Sequence, residues 1–231
     1  GKTKVLTERF IYILENGDLE KGREVESIVA ITFTKKATQE MKERIREAAI
    51  VVMSERGFHL TTTDEIAKEA GCSVGTIYNY FKNKDDILNY IFKVEREDME
   101  EVFLEIEKTT SSVPKKIKLF IEIYYDRIIS NVKVGKIIFD ESNRLTQGLN
   151  DEVLDWLLLI NGFFKDMLEQ GIKEGSVKSD IDVDICSTAI MGAVNSVAIR
   201  GFIGLDSFES LRNKVPDVLF RMLCEGLFVK E

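Results

Sequence analysis

Two prolines, Pro114 and Pro216, are all that 231 residues contain, and this scarcity constrains the fold more than any other feature of the chain. Proline removes a backbone N–H and clashes with the preceding helical turn, so a chain nearly free of it can run in long helices. Hydrophobic residues make up 44 % of the sequence, enough to give such helices a core. Glycines supply the punctuation: Gly17, Gly57, Gly71, Gly148, Gly175 and Gly204 fall where apolar runs end. The spacing predicts helices over about 85–109, 113–131, 133–144, 151–174, 182–203 and 207–228. Pro114 suits the first turn of its helix, and Pro216 is expected to split or restart the last one. Nearer the start, residues 4–16 have helical spacing, and a helix is expected from about Lys36 to Arg56, with Met41, Ile45, Ala48, Ala49 and Val52 on one side. Residues 27–33 are short, continuous and β-branched, which reads as a buried strand. The expected class is all-α with a small α/β-like extension at the front.

Residues 62–84 carry the sharpest local signal. Thr62 and Glu65 form a capping box for a short helix with Ile66, Ala67 and Ala70 inward, ended by Gly71. Ser73 caps a second helix from Val74 to about Tyr80, and Asn83 caps a third with Asp85 and Asp86 in its first turn. Two short helices joined by a glycine turn make a helix-turn-helix, whose second helix can project into a major groove. Ile66, Ala67, Ala70, Cys72, Ile77 and Phe81 would form its small core. Ser73, Thr76, Tyr78, Asn79 and Tyr80 are then left outward, and Gly75 leaves room for a duplex. Hydroxyls, amides and backbone N–H groups can contact phosphates without net positive charge. A merely solvated hairpin face is the plainer alternative, but two tyrosines beside Lys82 and Lys84 favour the nucleic-acid reading.

These residues resemble the DNA-binding domain of TetR-type repressors from about Ile45 to Leu88. The resemblance rests on Ala48-Ala49, Gly57-Phe58, Thr62-Thr63, Ile66-Ala67, Ala70-Gly71-Cys72-Ser73, the run Gly75 to Phe81, and Lys82-Asn83-Lys84. It implies phosphate contacts from Thr63, Tyr80 and Lys84, and base or sugar contacts from Val74, Gly75, Thr76, Tyr78 and Asn79. Thr62, Ser73 and Lys82 complete the candidate DNA-binding set. Asn79 stands where many members have His or Trp, a departure that bears on operator choice, and Cys72 stands where Val is usual. The implied partners are double-stranded operator DNA, a small-molecule effector and a second copy of the chain. The expected division is an extension over 1–38, the DNA-binding domain over 39–93 and a helical effector-binding and dimerisation domain over 94–231.

The back half supports part of this in its own right. The net charge of −8 lies wholly in residues 94–231, so the front is neutral and the rear acidic. Ala189, Gly192, Ala193 and Ser196 make a small-residue stripe that suits close helix packing between two copies, or within one. Leu219, Leu223 and Leu227 recur at four-residue spacing in the last segment. Phe103, Tyr124, Tyr125, Phe139, Trp156 and Phe163 are the candidate effector-binding residues, with Phe120 and Phe164 as further aromatics; plain core is the competing role for each. So many aromatics point to an apolar or aromatic effector.

Residues 1–45 resemble something different, the start of a UvrD/Rep-type helicase. The likeness is carried by Gly1-Lys2-Thr3, Val5 to Arg9, Ile28 to Ala37 and Glu40 to Ile45. A phosphate loop needs Gly-x-x-x-x-Gly-Lys-Thr, and the first four-residue spacer with its glycine is not in this sequence. The expectation is a truncated helicase fragment joined in frame to a repressor, without ATPase activity. A helicase-related enzyme and a helical interaction protein without DNA binding are the alternative functions. Three cysteines without Cys-x-x-Cys spacing and a single histidine, His59, predict neither a disulfide framework nor a metal site, and no cofactor. No run of 18 apolar residues and no signal peptide is visible, so a cytoplasmic protein without membrane contact is expected.

Overall fold

The computed structural model describes residues 19–110, 112–143 and 151–227, with side chains over 35–110, 112–143 and 151–223. Among the described residues there are nine helices and no strand. They are α1 (Leu19–Arg56), α2 (Thr63–Ala70), α3 (Val74–Tyr78), α4 (Lys84–Thr109), α5 (Val113–Ser130), α6 (Val132–Ser142), α7 (Asp151–Glu174), α8 (Val183–Phe202) and α9 (Phe208–Leu227). The helix expected over 4–16 lies outside the described residues.

Segment 27–33 corrects the sequence reading: it is helical, inside α1, and not a strand. A lone strand has no neighbour to take its backbone hydrogen bonds, whereas a helix closes them within the segment. The boundary expected at residue 38 therefore falls within one continuous helix. Gly57 ends α1 in the left-handed conformation, φ +77°, its N–H donating to the Met53 carbonyl at 2.8 Å.

The front of the molecule packs α1 against α2 and α4. Ile45, Ala48, Ala49, Ile50 and Met53 of α1 meet Ile66, Ala67 and Ala70 of α2, and Ile87, Leu88, Ile91 and Phe92 of α4, all buried. Each large apolar side chain so buried contributes roughly 1.5–3 kcal/mol. Helix α4 continues into the rear, where Met99, Phe103 and Ile106 join a bundle of α5, α7, α8 and α9. Lys116 of α5 is buried there, paired with Glu107 and donating to Gln170 Oε1 at 3.3 Å, so one ammonium pins α4, α5 and α7. Pro216 does not split the last helix as expected; α9 runs through it, with Pro216 itself buried. Helix α8 is long and apolar enough to cross a membrane by length and composition, with mean hydropathy 1.3, yet here it packs on α7 and α9.

Candidate nucleic-acid interface and effector cavity

The turn between α2 and α3 is built from short-range hydrogen bonds. The Thr62 hydroxyl accepts from the Glu65 N–H at 3.3 Å, and the Thr62 N–H donates to the Glu65 carboxylate at 2.9 Å, closing the capping box. Arg56 pairs with the same carboxylate and ties the end of α1 to α2. Gly71 takes φ +62°, which an L side chain resists, and its carbonyl accepts from Arg44 Nη2 at 3.2 Å. Ser73 Oγ accepts from the Thr76 N–H at 3.0 Å and starts α3. Ile77 and Phe81 are buried beneath it, and the half-buried Cys72 packs against the same core.

The outer face of this unit holds the residues singled out for DNA. Tyr78 is 53 % exposed, and Thr62, Ser73, Gly75, Asn79 and Lys82 are exposed with it. Thr63, Val74, Thr76 and Tyr80 are half-buried. The Tyr78 and Thr63 hydroxyls lie 3.4 Å apart, so α3 and the first turn of α2 present one polar surface. Lys84 is placed differently. Its ammonium donates to the carbonyls of Phe58, His59 and Thr61 at 2.9, 2.9 and 3.0 Å, and it sits 4.7 Å from the centre of the Phe58 ring. All three of its N–H donors are thus used inside the fold, leaving a phosphate its charge but no hydrogen bond.

The rear holds a cavity of about 410 Å³ with walls from α1 and from α4 to α8. Of the aromatics expected to line it, Tyr124, Phe139 and Trp156 do. Phe103, Tyr125 and Phe163 lie outside that lining: Phe103 and Phe163 stack at 3.8 Å, and the buried Tyr125 hydroxyl donates to the Val194 carbonyl at 3.0 Å. Adjacent residues on a helix point about 100° apart, so Tyr124 can face the cavity while Tyr125 faces α8. The Tyr124 hydroxyl donates to Asn195 Oδ1 at 2.5 Å, and burial raises its pKa, with Tyr125 adding to the rise.

Residues that sequence reasoning passed over make the polar part of the wall. Arg46 of α1, Glu95 and Asp98 of α4, Arg127 of α5 and Asn131 between α5 and α6 all line it. Arg127 donates to Glu95 at 3.0 Å and lies 3.6 Å from Asp98, while Arg46 lies 3.7 Å from Glu95. Burial raises the Glu95 carboxyl above its ordinary range, against the pull of Arg127 and Arg46. The signal that could have found this group is the stripe Tyr124, Arg127, Ile128, where a charged residue shares an apolar helical face.

A capped helix-turn-helix with a polar outer face, carried on a helical bundle with its own cavity, defines a DNA-binding regulator of the helix-turn-helix class. Residues 45–91 match the family model for bacterial regulatory proteins of the tetR family, and residues 110–199 match a tetracyclin repressor-like C-terminal domain. The chain belongs to the TetR family of transcriptional regulators, which are not enzymes. It is 29 % identical over 182 residues to a fatty acid metabolism regulator protein of Bacillus subtilis, spanning 76 % of this chain and 92 % of the relative. It is 26 % identical to the transcriptional repressor KstR2 of Rhodococcus jostii, over 62 % of this chain and 71 % of the relative. Among solved structures, FadR from Bacillus subtilis in complex with stearoyl-CoA superimposes with TM-score 0.70 at 27 % identity, covering 77 % of this chain and 97 % of FadR. The helicase likeness of residues 1–45 finds no support in these comparisons.

Proposed function

We propose that this chain is a homodimeric repressor that leaves its operator when an apolar small molecule fills the rear cavity, with residues 39–93 reading DNA and 94–231 holding the effector and the partner copy. The observation that carries this reading is the cavity wall itself, in which Arg46 of the DNA-binding unit stands beside residues of the bundle. Occupancy of the cavity is therefore felt directly by the helix that supports α2 and α3. The volume of about 410 Å³ suits one molecule of modest size. Its apolar lining of Met99, Ile128, Trp156 and Ile160 fits an aliphatic or aromatic body. The relatives named for fatty acid metabolism and solved with stearoyl-CoA support an acyl-type effector.

Dimerisation has a candidate surface on α8 and α9. Ile185, Val218 and Met222 are 66, 53 and 54 % exposed, next to the exposed small residues Ala189, Gly192 and Ser196. A self-complementary apolar face of this kind is what a two-fold interface requires. Two copies would set their α3 helices into successive major grooves, about 34 Å apart. The protein so described works on chromosomal DNA in the cytoplasm.

The test is DNA binding by fluorescence anisotropy, on a duplex from the region upstream of its own gene. Tyr78→Ala should weaken binding by about tenfold, the loss of one hydrogen bond to a charged group, with the melting temperature unchanged. Unchanged affinity in Tyr78→Ala together with Thr63→Ala would overturn the assignment of this face.

A further inference from the structure

The charges beside the cavity are closed among themselves. Arg46 donates to Glu43 from Nε at 2.8 Å and from Nη2 at 2.5 Å, and its Nη1 faces Glu95 at 3.7 Å. Arg127 donates to Glu95 at 3.0 Å and lies 3.6 Å from Asp98. Two guanidinium ions are thus set among three carboxylates, and an incoming charge of either sign meets its like at this wall. Taking a charged head group out of water is costly unless new partners repay it, and these partners are already taken.

The neutral groups of the wall are only partly closed. Ser130 Oγ donates to the Asp126 carbonyl at 2.8 Å, Asn131 Oδ1 accepts from the Val134 N–H at 3.3 Å, and Asn143 Nδ2 donates to the Phe139 carbonyl at 2.8 Å. The Tyr124 hydroxyl is spent on Asn195. Ser142 Oγ and Asn161 Oδ1, on residues lining the same cavity, are buried with no hydrogen-bond partner in the protein. Ser142 departs from the habit of Ser54, Ser130 and Ser187, which each return the hydroxyl to a carbonyl of their own helix. Asn161 stands on α7 with Trp156, Leu157 and Ile160, so its amide interrupts an apolar stretch of wall. A buried polar atom left unpaired costs its desolvation, so both positions call for a partner from the cavity.

We infer that the cavity takes an uncharged apolar molecule bearing a hydroxyl, which bonds Asn161 and Ser142 while the body lies against Met99, Trp156 and Ile160. The inference rests on the cavity being the effector site and adds the polar group that the effector carries. Asn161 Oδ1 can only accept, so it requires a donor, whereas the Ser142 hydroxyl can give or take a proton. A ligand hydroxyl donates and accepts, and so serves both; an ether oxygen offers no donor to Asn161. Ser142 closes α6, the helix whose Lys136 holds the Ser54 carbonyl of α1 at 2.7 Å. A hydroxyl held there acts on the element that meets the DNA-binding unit.

Octyl and naphthylmethyl bodies, each carrying a hydroxyl, a methoxy group, a carboxylate or an amine, separate the possibilities by calorimetry on the full chain. Each alcohol should bind about fivefold more tightly than its methyl ether, the worth of one neutral hydrogen bond, and more tightly than its acid and its amine. Asn161→Leu and Asn161→Ala, one filling the wall and one opening it, should both bring the ratio of alcohol to ether affinity to about one. That ratio is taken within a single protein, so a reshaped wall acts on both compounds and drops out, and the melting temperature of the free variant shows that it is folded. Should a variant not fold, the eight affinities of the parent decide alone. Ethers bound as tightly as the alcohols, or an alcohol preference that survives in both variants, overturn the hydroxyl assignment. Acids or amines bound most tightly overturn the uncharged head group; in each of these cases the cavity remains an effector site. Failure of all eight compounds to bind overturns the cavity reading itself, and with it this inference.

Discussion

Lys84 shows how a residue can match a family pattern and still serve the fold first. Its ammonium closes the loop between α1 and α2 by bonding three carbonyls that no helix satisfies. Lys84→Met should therefore lower stability by about 1–3 kcal/mol, the cost of leaving partly buried acceptors unpaired, read as a drop in thermal midpoint. Lys82→Met, on an exposed residue, should leave the midpoint unchanged and reduce the salt slope of DNA binding by about 1, one phosphate contact. If Lys84→Met melts like the parent, the internal role is wrong. At this scale the caps were legible, because Thr62, Ser73 and Asn83 act on their own next turn. Arg46, Glu95 and Arg127 were not. They meet only through packing of α1, α4 and α5, and in sequence each reads as an ordinary surface charge.

At the scale of the helices, the glycines and caps placed nearly every boundary from Lys84 onward, because helix ends are chosen locally. Two elements escaped. A β-branched run at 27–33 is helical because no second strand is present among the described residues. Helix α9 survives Pro216, since a buried proline costs one hydrogen bond and some strain that the surrounding contacts of Leu211, Val215 and Leu219 offset. The turn from α8 to α9 offers a direct check on packing. A Cβ on Gly201 would stand 2.4 Å from the Phe208 ring, which itself packs edge-on against Phe202 at 4.9 Å. Gly201→Ala should destabilise by about 1–3 kcal/mol, as overpacking of a filled site does, measured by urea unfolding. A variant as stable as the parent would mean that Phe208 moves aside freely.

Across the whole molecule, the two halves share helix α4 and one apolar core, and polar links add to them. Lys136 of α6 donates to the Ser54 carbonyl of α1 at 2.7 Å, and Arg46 and Arg127 meet at Glu95. The Glu95 carboxyl is raised above its ordinary 4.5 by burial, which outweighs Arg127 and Arg46, while Asp98 adds to the rise. Between 4.5 and the raised value the folded chain holds more protons than the unfolded one. This contribution is complete below the unfolded value and is lost as pH rises through the folded one. The parent should therefore lose stability relative to Glu95→Gln as pH climbs through that window, followed by denaturant melts at a series of pH values. A stability difference that stays flat with pH would refute it.

Helix α4 has 26 residues and touches both parts of this arrangement, with Asn83 capping it beside the helix-turn-helix and Asp98 at the cavity. From Asp98 to its first residue the rod spans about 21 Å, so pivoting it by roughly 5° at the cavity sweeps its tip by roughly 2 Å. In the proposed symmetric pair, two such tips moving apart would fall out of step with the fixed repeat of a double helix. In the proposed repressor, a small molecule leaning on the middle of the rod would loosen the hold at its tip.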